Sequence, residues 1–311
     1  MSETGSRDNV RTLEHYLQGT APEIVKVYLA IAQSALRLSD ELPFHTGMTG
    51  GVNPSGDQQA QLDVFSNDLF CDSLLATGVV GQVASEEMEQ PRESGPLREH
   101  GLSVAMDPLD GSSNIATNNP LGSIFGIWRG PLPQPGKSLL ASLFVTYGPT
   151  LTLTLTAGKK VAQFVAVRSG PHRGSYVLAN DGMVLPDTPE VYGIGGERGK
   201  WTPRVESFVQ TLEKRGMKLR YGGTFIGDFN QVLKRGGLFA YPELTNKPLG
   251  KLRVLYESAP VGFLAELAGG ASSDGRRSLL EVEPRALAET SPCYVGSRGL
   301  LRELESAFAR A

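Results

Sequence analysis

Apolar residues along this chain recur with two different periods. Ile24, Val27, Tyr28, Ile31, Ala35 and Leu38 return every three or four positions, which predicts an amphipathic helix over 22–39 with Pro22 near its start. Leu62, Phe65 and Leu69 place a second helix over 58–76, while 40–56, rich in Gly, Pro, Asn and Ser, reads as a loop. The pattern then tightens. "VVGQVASEE" reads as a strand ending in acids, and "LSVAMD" as a short apolar strand ending on Asp107. "GSIFGIW", "SLLASLFVTYG", "TLTLTLT" and "VAQFVAV" continue as strands; 88–101, between "VVGQVASEE" and "LSVAMD", is a polar, turn-rich surface excursion. Ser138–Gly158 is uncharged over a length that could span a membrane. Its strict alternation and the Gly148–Pro149 break predict two strands around a turn instead.

Near Asn180–Pro189 the composition shifts to turn residues, dividing the chain into regions 1–183 and 184–311. Beyond it, Val205, Phe208, Val209 and Leu212 mark a helix and "GGLFAYP" a strand. Residues 258–268 form another helix with Pro260 early and Gly269–Gly270 past its end, and Leu301, Leu304 and Phe308 predict a closing one. Interleaved helices and strands give a mixed, layered α/β class.

With 311 residues and 40% hydrophobic content the chain can bury a substantial core, in two domains or subdomains. A net charge of −3 carries no basic field for nucleic acid. Cys71 and Cys293 are far apart, which fits a reduced cytoplasmic protein better than a disulfide scaffold. The opening "MSETGSRDNVRTLEHYLQG" has no apolar core of a secretory signal.

The chemistry concentrates in "MDPLDGSSN" (106–114). Asp107 stands where a strand runs out and Asp110 at the turn after it; Pro108 and Gly111 permit the bend that aims both carboxylates into one pocket. Gly111, Ser112, Ser113 and Asn114 supply N–H groups and hydroxyls suited to phosphate. Every residue type here also suits an ordinary turn. Further acids change the weighing: Glu86–Glu87 end another strand, and Asp57 and Asp63 flank the start of the second helix. Acids for a hard cation beside amides for a phosphate are the parts of a metal-assisted phosphatase.

In order, "GDQQAQLDVFSNDLF" (56–70), "ASEE" (84–87), "DPLDGSSNI" (107–115), "RYGG" (220–223), "GGLFAYP" (236–242) and "GKLRVLYE" (250–257) resemble class I fructose-1,6-bisphosphatases of bacterial type. The acidic motif alone is similar to the wider lithium-sensitive phosphatase superfamily; the "RYGG" and "GKLRVLYE" blocks narrow it. The resemblance implies an α-β-α-β-α sandwich assembled as a homotetramer. It also implies Mg²⁺- or Mn²⁺-dependent removal of the 1-phosphate of fructose 1,6-bisphosphate, in gluconeogenesis or the Calvin cycle. By the same resemblance, Glu86, Glu87, Asp107, Asp110, Glu257 and the Leu109 carbonyl are metal ligands. Asp63 with Glu87 activates the attacking water, and Asp57 sits on a catalytic loop. Gly111, Ser112 and Ser113, with Asp110, hold the 1-phosphate end. Tyr221, Tyr241 and Lys251 take the sugar and 6-phosphate, and Arg220 reaches a neighbouring subunit.

The chain departs from that pattern in places. Ala116 stands where relatives usually carry an acid. Aligned from "VYGI", two positions that usually contact the 6-phosphate become Gly195 and Arg198; glycine loses a donor, and arginine offers a charged contact. Gly101 and Leu102 replace the Lys-Tyr pair of the AMP site of animal enzymes, so AMP inhibition by that route is not expected. Two further readings stand beside the leading one: a sedoheptulose-1,7-bisphosphatase or dual-specificity enzyme, and a non-catalytic sugar-phosphate-binding protein. The full set of acids argues against the last.

Overall fold

The computed structural model describes residues 10–45, 47–52, 58–94 and 101–310. Among them, helices α1 (Leu13–Tyr16), α2 (Pro22–Glu41) and α3 (Gln61–Leu75) come first, with a short antiparallel hairpin of β1 (Met48–Val52) and β2 (Gln58–Ala60) between α2 and α3. Eight strands follow: β3 (Val80–Ser85), β4 (Arg92–Glu93), β5 (Leu102–Asp110), β6 (Leu121–Arg129), β7 (Ala141–Tyr147), β8 (Leu151–Ala157), β9 (Lys160–Ala166) and β10 (Tyr176–Asp181). They form one sheet in the order β10-β9-β8-β7-β6-β5-β3-β4, antiparallel except for the pair β3–β5. A second sheet, β12-β11-β13-β15-β14, is built from β11 (Val191–Ile194), β12 (Lys218–Leu219), β13 (Gly237–Tyr241), β14 (Ala271–Ser273) and β15 (Cys293–Gly296). Its helices are α4 (Pro203–Lys214), α5 (Phe225–Arg235), α6 (Ala259–Leu267) and α7 (Arg298–Phe308).

The period-2 pattern explains the layering, because alternate residues of each strand enter different cores. On β6, Phe125 and Ile127 face the core shared with α2 and α3, whereas Ile124 faces α5 and α6. On β13, Phe239 joins that central layer while Leu238 and Ala240 pack under α4 and α7. The result is five layers, α-β-α-β-α, with α5 and α6 between the sheets. Phe225, Ile226 and Phe229 of α5 are almost wholly buried there. Each such side chain contributes roughly 1.5–3 kcal/mol on leaving water, so the start of α5 is firmly held.

Two expectations change and one holds. The 40–56 segment is not all loop, because its Met48–Val52 part pairs with Gln58–Ala60; that pairing also delays the second helix to Gln61. The uncharged stretch 138–158 contains two paired strands, and no helix among the described residues is long and apolar enough to cross a membrane. The strand expected to stop at Asp107 continues to Asp110. Its register slips there: Asp107 opposes Ile124, but Asp110 opposes Gly122, three steps against two. Pro108, which has no N–H to donate to a ladder, sits inside this bulge. In a regular strand, residues three apart face opposite sides. The extra residue removes that opposition, and both acids line one cavity.

Candidate active site

Strands β3 and β5 run parallel, so their C-terminal ends emerge side by side at one edge of the large sheet. Glu86 and Glu87 leave β3 just where Asp107 begins the bulge of β5, and the Glu86 N–H donates to the Met106 carbonyl at 3.1 Å. Glu257 arrives from the central layer on a π-helical turn, Val254–Ser258, that leads into α6; its Oε2 accepts the Arg253 N–H at 2.7 Å. The carboxylates of Glu86, Asp107 and Glu257 thus converge, with one oxygen of each within 4.8 Å of the others.

Burial raises the pKa of all three, those of Glu86 and Asp107 well above the ordinary carboxylate value. Repulsion from Glu257 adds to the shift of Glu86, and repulsion from Glu86 to that of Asp107. Arg253 opposes this. Its side chain is only 7% exposed, and its Nη1 lies 2.6 Å from Glu86 Oε1 and 3.6 Å from Glu257 Oε2. One guanidinium cannot balance three carboxylates, and Glu86 Oε2 is buried with no hydrogen-bond partner among the described residues. A buried, unpartnered carboxylate oxygen is costly, and an all-oxygen donor set facing it fits a hard divalent cation.

Asp110 is held differently. Its two oxygens accept the N–H groups of Phe225 (3.0 Å) and Ile226 (2.7 Å), so it caps the first turn of α5. Burial pushes it up to about 7 against those two bonds. Asp110 and Glu87 line the cavity but stand outside the tight group of three; Leu109 lines it too. Asp63, on the first turn of α3, accepts the Ala60 N–H at 2.7 Å. Burial pushes its pKa up to about 7, with the Ala60 bond opposing and repulsion from Glu87 adding. Asp57 lies outside the described residues.

Gly111 follows the bulge with φ +82°, and an added Cβ would lie 2.1 Å from Thr224 Cγ2, so conformation and space both demand glycine. Ser112 and Ser113 open the 3₁₀ turn Ser112–Thr117, and both line the cavity. Asn114 fastens this turn to the other half of the site: its Nδ2 donates to the Gly222 carbonyl at 2.9 Å and the Pro120 carbonyl at 3.1 Å. Ala116, where an acid was expected, also lines the cavity.

At the far end Tyr221, Tyr241 and Lys251 line the same space, of about 560 Å³. The tyrosine hydroxyls meet at 2.8 Å, and burial raises the pKa of both. The turn that carries Tyr221 is set by Asp228 of α5, whose two oxygens accept the Gly222 N–H at 2.8 and 2.9 Å. Two cations singled out in the sequence are elsewhere. Arg220 is exposed and does not line the cavity; its Nη1 donates to the Leu219 carbonyl at 3.2 Å. Arg198 does not line it either, because its guanidinium is committed to Glu206 and Glu213 of α4 at 2.8–3.1 Å. Conversely, Arg253 and Asp228 were not singled out. Arg253 had a readable signal, four residues before Glu257 inside "GKLRVLYE"; Asp228 had none.

The family model described as the fructose-1-6-bisphosphatase N-terminal domain matches residues 24–181, and the C-terminal domain model matches 185–309. A class 1 fructose-1,6-bisphosphatase of Halobacterium salinarum is 43% identical over 289 residues, covering 93% of this chain and 98% of that protein. One from Methanocorpusculum labreanum is 38% identical over 307 residues, covering 98% and 94%. The crystal structure of Leishmania major fructose-1,6-bisphosphatase in holo form superposes with a TM-score of 0.90 at 31% identity, covering 97% of this chain and all of that one.

Proposed function

The chain belongs to the fructose-1,6-bisphosphatase family, and we propose that it hydrolyses the 1-phosphate of fructose 1,6-bisphosphate, giving fructose 6-phosphate and phosphate, with the residues gathered in this cavity. The observation that carries the reading is the joining, in one cavity, of a buried three-carboxylate cluster to a tyrosine and lysine end. One end suits a reacting phosphate and the other a second phosphate held apart from it.

In this reading Glu86, Asp107 and Glu257, with Glu87, Asp110 and the Leu109 carbonyl beside them, hold Mg²⁺ or Mn²⁺. Bound there, the cation offsets the charge of the carboxylates and of the phosphoryl oxygens. Gly111, Ser112 and Ser113 seat the 1-phosphate through N–H and hydroxyl donors. Asp63 and Glu87 orient the attacking water and take its proton; an acid pushed up to about 7 is well matched to receive a proton near neutral pH. The bridging oxygen leaves with the sugar as the water oxygen bonds to phosphorus. Tyr221 and Tyr241 hydrogen-bond the 6-phosphate while Lys251 supplies a point charge. Arg220, exposed and outside the cavity, is left for the site of a neighbouring subunit in a homotetramer. Cys71 and Cys293 are buried free thiols, which supports a reducing compartment such as the cytoplasm.

The test is phosphate release from fructose 1,6-bisphosphate, sedoheptulose 1,7-bisphosphate and inositol monophosphate with Mg²⁺ or Mn²⁺. The expected outcome is turnover of fructose 1,6-bisphosphate with the highest kcat/KM. No release from it with either cation present overturns the reading.

A further inference from the structure

The far end of the cavity rests on a support formed where the chain after β11 runs beside β13. Gly195 follows β11, and its N–H donates to the Ala240 carbonyl at 2.8 Å, which keeps the chain alongside β13 up to Tyr241. A Cβ added at Gly195 would lie 2.5 Å from Cε1 and Cζ of the Tyr241 ring. The ring therefore lies directly on the glycine backbone. Gly195 is not among the residues with positive φ, so it is glycine for space and not for conformation.

The glycine is itself braced. Its carbonyl accepts the Trp201 Nε1–H at 3.1 Å, and the Trp201 backbone bridges to Leu244. The Arg198 guanidinium, fixed by Glu206 and Glu213, lies 5.6 Å from the centre of the Trp201 ring. On the other side, Thr202 (3.2 Å) and Arg204 (2.6 Å) donate to Glu243, a buried acid two residues past Tyr241. The loop after β11 and the exit of β13 are one braced unit, and the Tyr241 hydroxyl is its tip.

We propose that Gly195 and Trp201 are positioning residues that fix the Tyr241 hydroxyl and so set the affinity for the phosphate at the far end of the sugar, leaving the reacting end alone. This rests on reading the cavity as the fructose 1,6-bisphosphate site. It also gives Arg198 a role: it holds Trp201 in place and does not meet the substrate.

The test compares wild type with Gly195→Ala and Trp201→Phe for kcat and KM on fructose 1,6-bisphosphate, and for inhibition by fructose 6-phosphate, which carries only the far phosphate. In Gly195→Ala the ring is pushed off its seat. KM and the fructose 6-phosphate inhibition constant both rise about tenfold with kcat within about twofold, the size expected for one misplaced hydrogen bond to a charged group. Trp201→Phe keeps an aromatic ring but loses the N–H that holds the Gly195 carbonyl. It moves both constants the same way by about threefold and serves if the alanine variant folds poorly. Wild-type values for both constants in the two variants, or a fall in kcat as large as the rise in KM, overturn the proposal. A wild type inactive on the bisphosphate overturns the functional reading and this inference together; an active wild type with unchanged variants overturns this inference alone.

Discussion

At one end of the cavity Glu86, Asp107 and Glu257 press like charges together in a buried space, with the Arg253 guanidinium pairing with two of them. At the other, the hydroxyls of Tyr221 and Tyr241 meet at 2.8 Å, and the braces behind them, Trp201 on the Gly195 carbonyl, Arg204 on Glu243 and Asp228 on the Gly222 N–H, each have a hydrogen-bond partner. The acidic end is electrostatically unfinished and gains from a cation. The tyrosine end is finished without a ligand and gains only from precise placement. Substitutions at the first end are therefore expected to abolish turnover, and those at the second to weaken binding.

The largest effect is expected at the centre of the acids. Asp107→Asn keeps size and the acceptor for the Leu109 N–H while deleting one charge of the cluster. It lowers kcat by about 10³-fold, since the cation's share of charge stabilisation is several kcal/mol. The same variant unfolds no more easily than wild type when cations are chelated, because a repulsion has been removed. Steady-state kinetics and thermal melts check both halves; a near-normal kcat breaks the comparison at its strongest point.

Next comes Asp63→Asn, which retains an acceptor for the Ala60 N–H but cannot take a proton. Here kcat falls by about 10²-fold with little change in KM, as for loss of a general base. Tyr241→Phe, at the other end, raises KM about tenfold and leaves kcat nearly intact. If the two substitutions moved the same parameter, the division between the two ends would fail.

The smallest effect is on stability. Asp63 and Asp110 have ordinary pKa values near 3.8 and are pushed up to about 7 by burial. Ionising them thus costs the folded protein more than the unfolded one. The contribution of these two acids to stability is fullest below about pH 4 and is lost as the pH rises towards 7. Chelated protein should lose a few degrees of Tm across that window, and Mg²⁺ or Mn²⁺ should restore them, more at pH 7 than at pH 5. A chelated protein that grows more stable across the window would contradict the buried-acid account.

The same contrast explains what could be read from the sequence. The acids were legible because "ASEE" and "VAMD" each run from an apolar strand into carboxylates, and the end of β3 does lie beside the Asp107 bulge of β5. The helix over Pro22–Glu41 and the strands of "TLTLTLT" were legible for the same reason, being periodic over many residues. The continuation of β5 to Asp110 was not, because Pro108 and Gly111 are turn formers and only pairing with β6 overrides them. The pairing of β1 with β2 was hidden likewise, β1 inside a segment that composition marks as loop and β2 at the start of the expected helix. At the tyrosine end the supports come from distant parts of the chain: Gly195 under Tyr241, Asp228 behind Gly222, Glu243 between Arg204 and Tyr294. Nothing local marks a glycine as a seat for a ring. Arg198 shows the converse, since its charge suggested a phosphate contact but two glutamates on the next helix hold it away.

Turnover at the reacting end is expected to require a divalent cation among the buried carboxylates. Phosphate release from fructose 1,6-bisphosphate by chelator-treated protein, before and after adding back Mg²⁺ or Mn²⁺, tests it most directly. The account predicts no release before addition and full turnover after it; undiminished release in the chelator would contradict it.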